Sequence, residues 1–326
     1  MQKVIKDKAI ELLKNGTVNR VLGWQAGEFF YDITPAVFET PEEVEANFVY
    51  NDFCGANLSK YLVKETEKEG DEKIAVFLKP CDSYSFNQLL TEHRIKRQKI
   101  YAIGISCDGK VDIEKIRAMG VKGITAVETK GDKLAVTTMY GDKEVSRADA
   151  LAERCVNCKS KKVVADVDEM IGENGEVEET ARFDEVAKLE NMTAEERFEF
   201  WRNELSRCIR CNACRNVCPA CTCKTCVFDN HDSGIDTKAS ADTFEENMFH
   251  IIRAFHVAGR CTDCGECSRV CPQHIPLHLL NRKFIKDYNE LYGEYQAGEQ
   301  VGTKAPLTSF TFDDCEPSIV HERGVE

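Results

Sequence analysis

Two stretches of this 326-residue chain repeat one spacing of thiols, Cys208-x2-Cys211-x2-Cys214-x3-Cys218-Pro219 and Cys261-x2-Cys264-x2-Cys267-x3-Cys271-Pro272. Three cysteines set two residues apart wrap one iron–sulfur cube, while the fourth, past a longer gap and stiffened by proline, ligates the other cube of a pair. The spacing therefore predicts a crossed ligand set. One 4Fe-4S cluster takes Cys208, Cys211, Cys214 and Cys271, and the other takes Cys261, Cys264, Cys267 and Cys218. Structural zinc is the alternative, but it favours paired C-x2-C units closing a single tetrahedron.

Of 17 cysteines, nine lie outside the duplication. Cys81, Cys107, Cys155 and Cys158 form one group. Cys81 follows an apolar run and Cys107 follows the next, so both fall at the carboxyl edge of a parallel sheet, where open α/β folds bind ligands. Cys155-Val-Asn-Cys158 adds a C-x2-C pair, giving four thiolates for a third cluster. The plainer reading is small buried hydrophobes. Cys221-x-Cys223-x2-Cys226 forms the other group, dense enough for a fourth metal site but short of one ligand. Cys54 brings that triple to four, with Cys315 as the spare, or else these are buried or redox-active thiols.

The elements that must carry these residues divide the chain in two. Ile74–Leu78 and residues 100–105 are continuous apolar runs, as in parallel strands covered on both faces, and a helix from about Asp82 connects them as a βαβ unit. Residues 1–18 have helical periodicity ending at Gly16. A hairpin is expected at Lys130–Lys133. The polar stretch from Asp166 to Glu190 reads as an irregular connection. Beyond it, Thr193 and Glu196 make a capping box for a helix leading to Cys208. A second helix, about 243–258, places Phe244, Met248, Ile251, Ile252 and Phe255 on one side. The expected architecture is an α/β domain with a mostly parallel sheet over 1–180, a mostly α-helical two-cluster ferredoxin domain over 190–290, and an extended arm over 291–326.

Composition narrows the function. Acidic residues exceed basic ones, 56 to 43, for a net charge of −13, which leaves nothing to track a nucleic-acid backbone. No run approaches the roughly 20 apolar residues of a membrane span, and no export signal is visible. So many thiols without secretory features point to metal in a reducing cytoplasm, and to an anaerobe, since such clusters are oxygen-sensitive. His274 and His278, beside the last motif, either adjust a cluster potential or pack ordinarily. The basic run His93–Lys99 either steers an acidic partner such as a ferredoxin or is a solvated helix end.

Separating the two motifs by a helix, over about residues 193–285, resembles the α-helical ferredoxin modules of succinate dehydrogenase iron–sulfur subunits and of the C subunit of heterodisulfide reductases. Lys79-Pro80-Cys81-Asp82, Gly104-Ile105-Ser106-Cys107-Asp108-Gly109 and Arg154-Cys155-Val156-Asn157-Cys158 resemble the beta-subunit family of deazaflavin-dependent hydrogenases and dehydrogenases, which includes formate dehydrogenase beta subunits. In that family the ferredoxin segment often precedes this domain, whereas here it follows. The resemblance implies an FAD-containing domain that exchanges hydride with a soluble nicotinamide or deazaflavin carrier and passes single electrons to clusters and partner subunits. A flavin-free electron-transfer adaptor is the alternative. On the first reading Lys79 and Asp82 contact the flavin or a phosphate. On the plainer one they are a solvated lysine and a helix N-terminal aspartate.

Overall fold

A computed structural model of the chain describes residues 1–177, 180–229 and 243–306, the side chains of 243–246 excepted. The N-terminal part is an α/β domain. Its five-stranded sheet runs in the order β2 (Ile33–Phe38), β1 (Arg20–Ala26), β3 (Ile74–Leu78), β4 (Ile100–Ile105), β8 (Glu169–Ile171). The β1–β3, β3–β4 and β4–β8 pairs are parallel and β1–β2 antiparallel. All five residues of β3 are buried, as the unbroken apolar run requires of a central strand with both faces covered.

The helix after β3 spans Pro80–Thr91. It starts at the proline, whose fixed φ suits a first helical position. The first helix, Gln2–Lys14, buries Ile5, Ala9 and Leu12 against the sheet. A separate three-stranded sheet, β5 (Ile124–Lys130), β6 (Lys133–Thr138) and β7 (Lys143–Ser146), contains the predicted hairpin. The segment expected to be an irregular connection contributes β8 instead. Three residues with one of them fully buried carry no periodicity, so only their pairing with β4 makes them a strand.

The C-terminal part is helical. The capping box forms as expected: Glu196 N–H donates to Thr193 Oγ1 at 3.2 Å, and Thr193 N–H donates to Glu196 Oε2 at 2.9 Å, opening the helix Ala194–Ser206. The helix Thr243–Val257 turns a different face inward from the one predicted. Phe249, His250, Arg253, Ala254 and Val257 are buried, whereas Met248, Ile251 and Phe255 are exposed. Arg253 Nη2 donates to the Cys214 carbonyl at 2.9 Å. A cation required beside the thiols fixes the rotation of this helix against its apolar periodicity.

The chain after the helix Leu277–Tyr292 lies over the α/β domain. Asn87 Nδ2 donates to the Glu299 carbonyl at 3.4 Å, and Gly302 N–H donates to Thr91 Oγ1 at 2.9 Å. Gly298, at φ +76°, passes so close to the Tyr84 backbone that a Cβ would meet its carbonyl oxygen at 1.9 Å. Cys315 lies outside the described residues.

Candidate metal centres

The two thiol repeats fold alike. Arg210 and Asp263, at equivalent positions, have φ of +55° and +54°, and Asn212 and Gly265 have φ of +61° and +67°. Each loop then enters a single helical turn, Ala213–Asn216 or Glu266–Arg269. Left-handed residues cost energy unless glycine or asparagine occupies them, so their repetition marks two copies of one wrapping loop. In the first copy, Arg210 N–H donates to Cys208 Sγ at 3.3 Å.

Cys208, Cys211, Cys214 and Cys271 line one pocket. Three come from the first repeat and the fourth from the second. Cys218 in turn sits among the other three, acting electrostatically on Cys261, Cys264 and Cys267. Burial is the main cause that pushes those thiols up, Cys264 to about 12 and Cys267 to about 11. Iron must therefore displace protons to bind them. Cys218 is pulled down, first by the hydrogen bond from Cys221 and then by Arg253 and Lys60. Among the described residues no three His, Cys, Asp or Glu side chains converge on one point. Tetrahedral zinc would need sulfurs roughly 3.8 Å apart at a Zn–S distance of about 2.3 Å, whereas a cube spreads its four thiolates over separate irons. The donor sets fit cubes.

A cavity in the α/β domain is lined by Cys81, Cys107, Cys155 and Cys158, together with Cys264 of the second repeat. Strand ends bring Cys81 and Cys107 to it, and the turn Glu153–Val156 brings Cys155. Lys110 N–H donates to Cys155 Sγ at 3.4 Å. Three lysines lining the same cavity each lie over an aromatic ring: Lys79 over Trp24 at 4.7 Å, Lys110 over Tyr50 at 4.1 Å and Lys159 over Tyr84 at 4.3 Å. Four thiolates on a cube leave a net negative charge that burial penalises. Buried ammonium groups offset it, and sequence spacing carries no sign of them.

Lys79 and Asp82 are spent on each other. Lys79 Nζ lies 2.7 Å from Asp82 Oδ2 and donates to the Ala56 carbonyl at 2.9 Å, with the two side chains 1% and 0% exposed. Asp82 Oδ2 also accepts the Lys79 backbone N–H at 3.3 Å. The ion pair engages both charged groups, and Lys79 is not solvated. Asp82 is an internal partner at the helix start. Lys79 stays an ammonium because Asp82 and the Cys81 thiol outweigh the cost of its burial.

Cys54 is not brought to the Cys221-Cys223-Cys226 triple. It is fully buried in the α/β core, where its sulfur accepts the Asn51 N–H at 3.1 Å, and Lys110 and Lys79 are its charged neighbours. Cys221 lies against Cys218 instead. The expected set of four thus lacks its fourth member. The apolar core around Cys54, rather than cysteine arithmetic, decides where its thiol goes.

Three members of the basic run are consumed within the fold, while His93 and Lys96 are exposed. Arg94 donates to the Thr222 carbonyl, Lys99 to the Lys68 carbonyl, and Arg97 lies 3.0 Å from Asp168. His278 is bonded to Ser268 Oγ through Nδ1 at 2.8 Å. Burial, then Arg282, pushes it down to about 4. An unfolded histidine titrates near 6.5, so between these values the unfolded chain holds more protons and stability falls as pH falls. Acidifying from pH 7 to 5 is expected to lose about 2 kcal/mol through this residue. Urea midpoints of wild type and His278→Asn, compared at both pH values, test this: the variant should show the smaller acid loss.

Residues 204–275 match the 4Fe-4S dicluster domain family. The chain is similar to the F420-dependent formate dehydrogenase subunit beta of Methanocaldococcus jannaschii, 23% identical over 84% of this chain and 86% of the relative. It is 28% identical to the F420-dependent formate dehydrogenase 1 subunit beta of Methanococcus maripaludis, over 90% of this chain and 89% of that one. A solved chain of the F420-reducing NiFe hydrogenase complex from Methanosarcina barkeri overlaps 49% of this chain and 60% of its own length, at 14% identity and a TM-score of 0.40. With its α/β domain followed by a dicluster domain, and its likeness running along most of both curated relatives, the chain is similar to the beta subunits of F420-dependent formate dehydrogenases.

Proposed function

We propose that this chain is the iron–sulfur beta subunit of an oxidoreductase complex of the formate dehydrogenase or hydrogenase type, relaying electrons between a soluble two-electron carrier of the deazaflavin or nicotinamide class and partner subunits. The observation that carries the reading is the shared cavity, where Cys264 of the dicluster domain lines the same space as Cys81, Cys107, Cys155 and Cys158. A cluster in that cavity abuts the second cluster of the dicluster domain, which abuts the first. Three cubes then form a continuous line from the α/β domain to the far end of the helical domain. Among the described residues no helix is long and apolar enough to cross a membrane.

FAD belongs to the reading through the resemblance. When bound, it would exchange hydride with the carrier and release electrons singly. Lys79 and Asp82 are already paired with each other, and no step here is routed through FAD. That pairing favours the second reading, a flavin-free relay that receives electrons already split. Absorption of protein purified under argon separates the two. Flavin bands over the broad iron–sulfur charge-transfer absorption support the first reading, and charge transfer alone supports the second. About twelve irons with as many labile sulfides per chain are expected for three cubes. Protein without iron overturns both.

A further inference from the structure

Two buried arginines stand at the junctions between sulfur sites. Arg253, on the helix Thr243–Val257, donates to the Cys214 carbonyl at 2.9 Å. Burial disfavours its charge, but the surrounding thiols, Cys218, Cys267 and Cys214, hold it charged. It therefore lies where the first and second ferredoxin sites meet. Arg154 has the same position at the next junction. Its chain neighbour is Cys155 of the α/β cavity, and its Nη1 donates to the carbonyl of Cys264 at 3.1 Å. Its Nη2 donates to the Gly55 carbonyl at 2.6 Å, and it pairs with the fully buried Glu266, which Arg269 also grips at 2.8 Å. Gly265 has to be a glycine: besides its φ of +67°, a Cβ there would stand 2.5 Å from Arg154 Cβ. The turn Cys264-Gly265-Glu266 is thus closed onto the Arg154-Cys155 turn. The Nε atoms of both arginines are buried without a hydrogen-bond partner among the described residues. Buried N–H groups find acceptors, and the sulfurs of bound cubes would supply them at these junctions.

We propose that Arg154 is the positioning residue that couples the α/β-cavity cluster to the second ferredoxin cluster. Its fork fixes their separation, and its charge, balanced by Glu266, sets the potential at which an electron rests on either. The proposal rests on the three-cluster reading above. The step it serves makes and breaks no bond. One electron, drawn from the two-electron carrier, leaves one cube, which is oxidised by one, and reaches the next, which is reduced by one. A cation between them stabilises the reduced form on both sides, so the electron crosses without being trapped on either.

Opposite charges predict opposite shifts, which a merely structural role does not. In the full chain, Arg154→Gln is expected to make the cavity cluster harder to reduce by about tenfold in its reduction equilibrium, or about 59 mV for one electron. Glu266→Gln, which leaves the arginine uncompensated, is expected to shift it the other way. Arg154→Lys keeps the charge and restores the potential. It loses the two-pronged grip, so the magnetic interaction between the two reduced clusters weakens. Redox titration followed by electron paramagnetic resonance reads all three. Iron analysis keeps failures apart: wild type with no cavity cluster overturns the three-cluster reading and this proposal together. Three clusters whose potentials stay put in Arg154→Gln overturn the proposal alone. If Arg154→Gln loses a cluster, Glu266→Gln decides, a raised potential supporting the coupling and an unchanged or lowered one overturning it.

Discussion

Replacing Cys218 with serine is expected to remove the cluster gripped by Cys261, Cys264 and Cys267, and to leave the cluster of its own repeat in place. Cys218 acts on those three thiols, whereas Cys208, Cys211 and Cys214 share their space with Cys271. Cys271→Ser should do the reverse. About one third of the iron should go in each case if three cubes are bound, and one of the two dicluster signals should vanish from the resonance spectrum of reduced protein. Cys221 is a neighbour placed to substitute, being hydrogen-bonded to Cys218. The double variant, with Cys221 also changed to serine, closes that route. Loss of the cluster belonging to the mutated repeat, in either variant, sinks the crossed assignment.

Cys155→Ala is expected to empty the α/β cavity of its cluster while both dicluster signals persist. The cavity supplies four thiols from one domain, and a cube held by three commonly loses iron once a corner is exposed. Reduction of the dicluster clusters by the two-electron carrier should then fall to background, although a small-molecule reductant still reduces them directly. Full iron content and unchanged carrier-driven reduction in this variant would show that the cavity cysteines are packing residues.

Much of this was legible in the residues themselves. The grouping of Cys271 with Cys208, Cys211 and Cys214 was legible in the duplicated spacing because the geometry of a cube is met by the local run of chain, C-x2-C-x2-C, whatever lies around it. The strands Ile74–Leu78 and Ile100–Ile105 were legible because a strand buried on both faces has no polar positions. The short strand Glu169–Ile171, the inward face of the helix Thr243–Val257 and the placement of Cys54 were not. In each of these the deciding partner is distant in sequence: β4 for the strand, the Cys214 carbonyl for Arg253, and the aliphatic core for Cys54.

The sequence by itself determined that the chain carries a dicluster iron–sulfur domain and named its candidate ligands, because ligand type and spacing are local properties of the chain. Only the tertiary structure decided how the sites are joined. Arg154 meets Cys264 across 110 residues and Asn57 N–H meets Glu266 across 209. Buried charge is tolerated only beside its counter-charge, and which charges become neighbours is settled when the two domains close on one another.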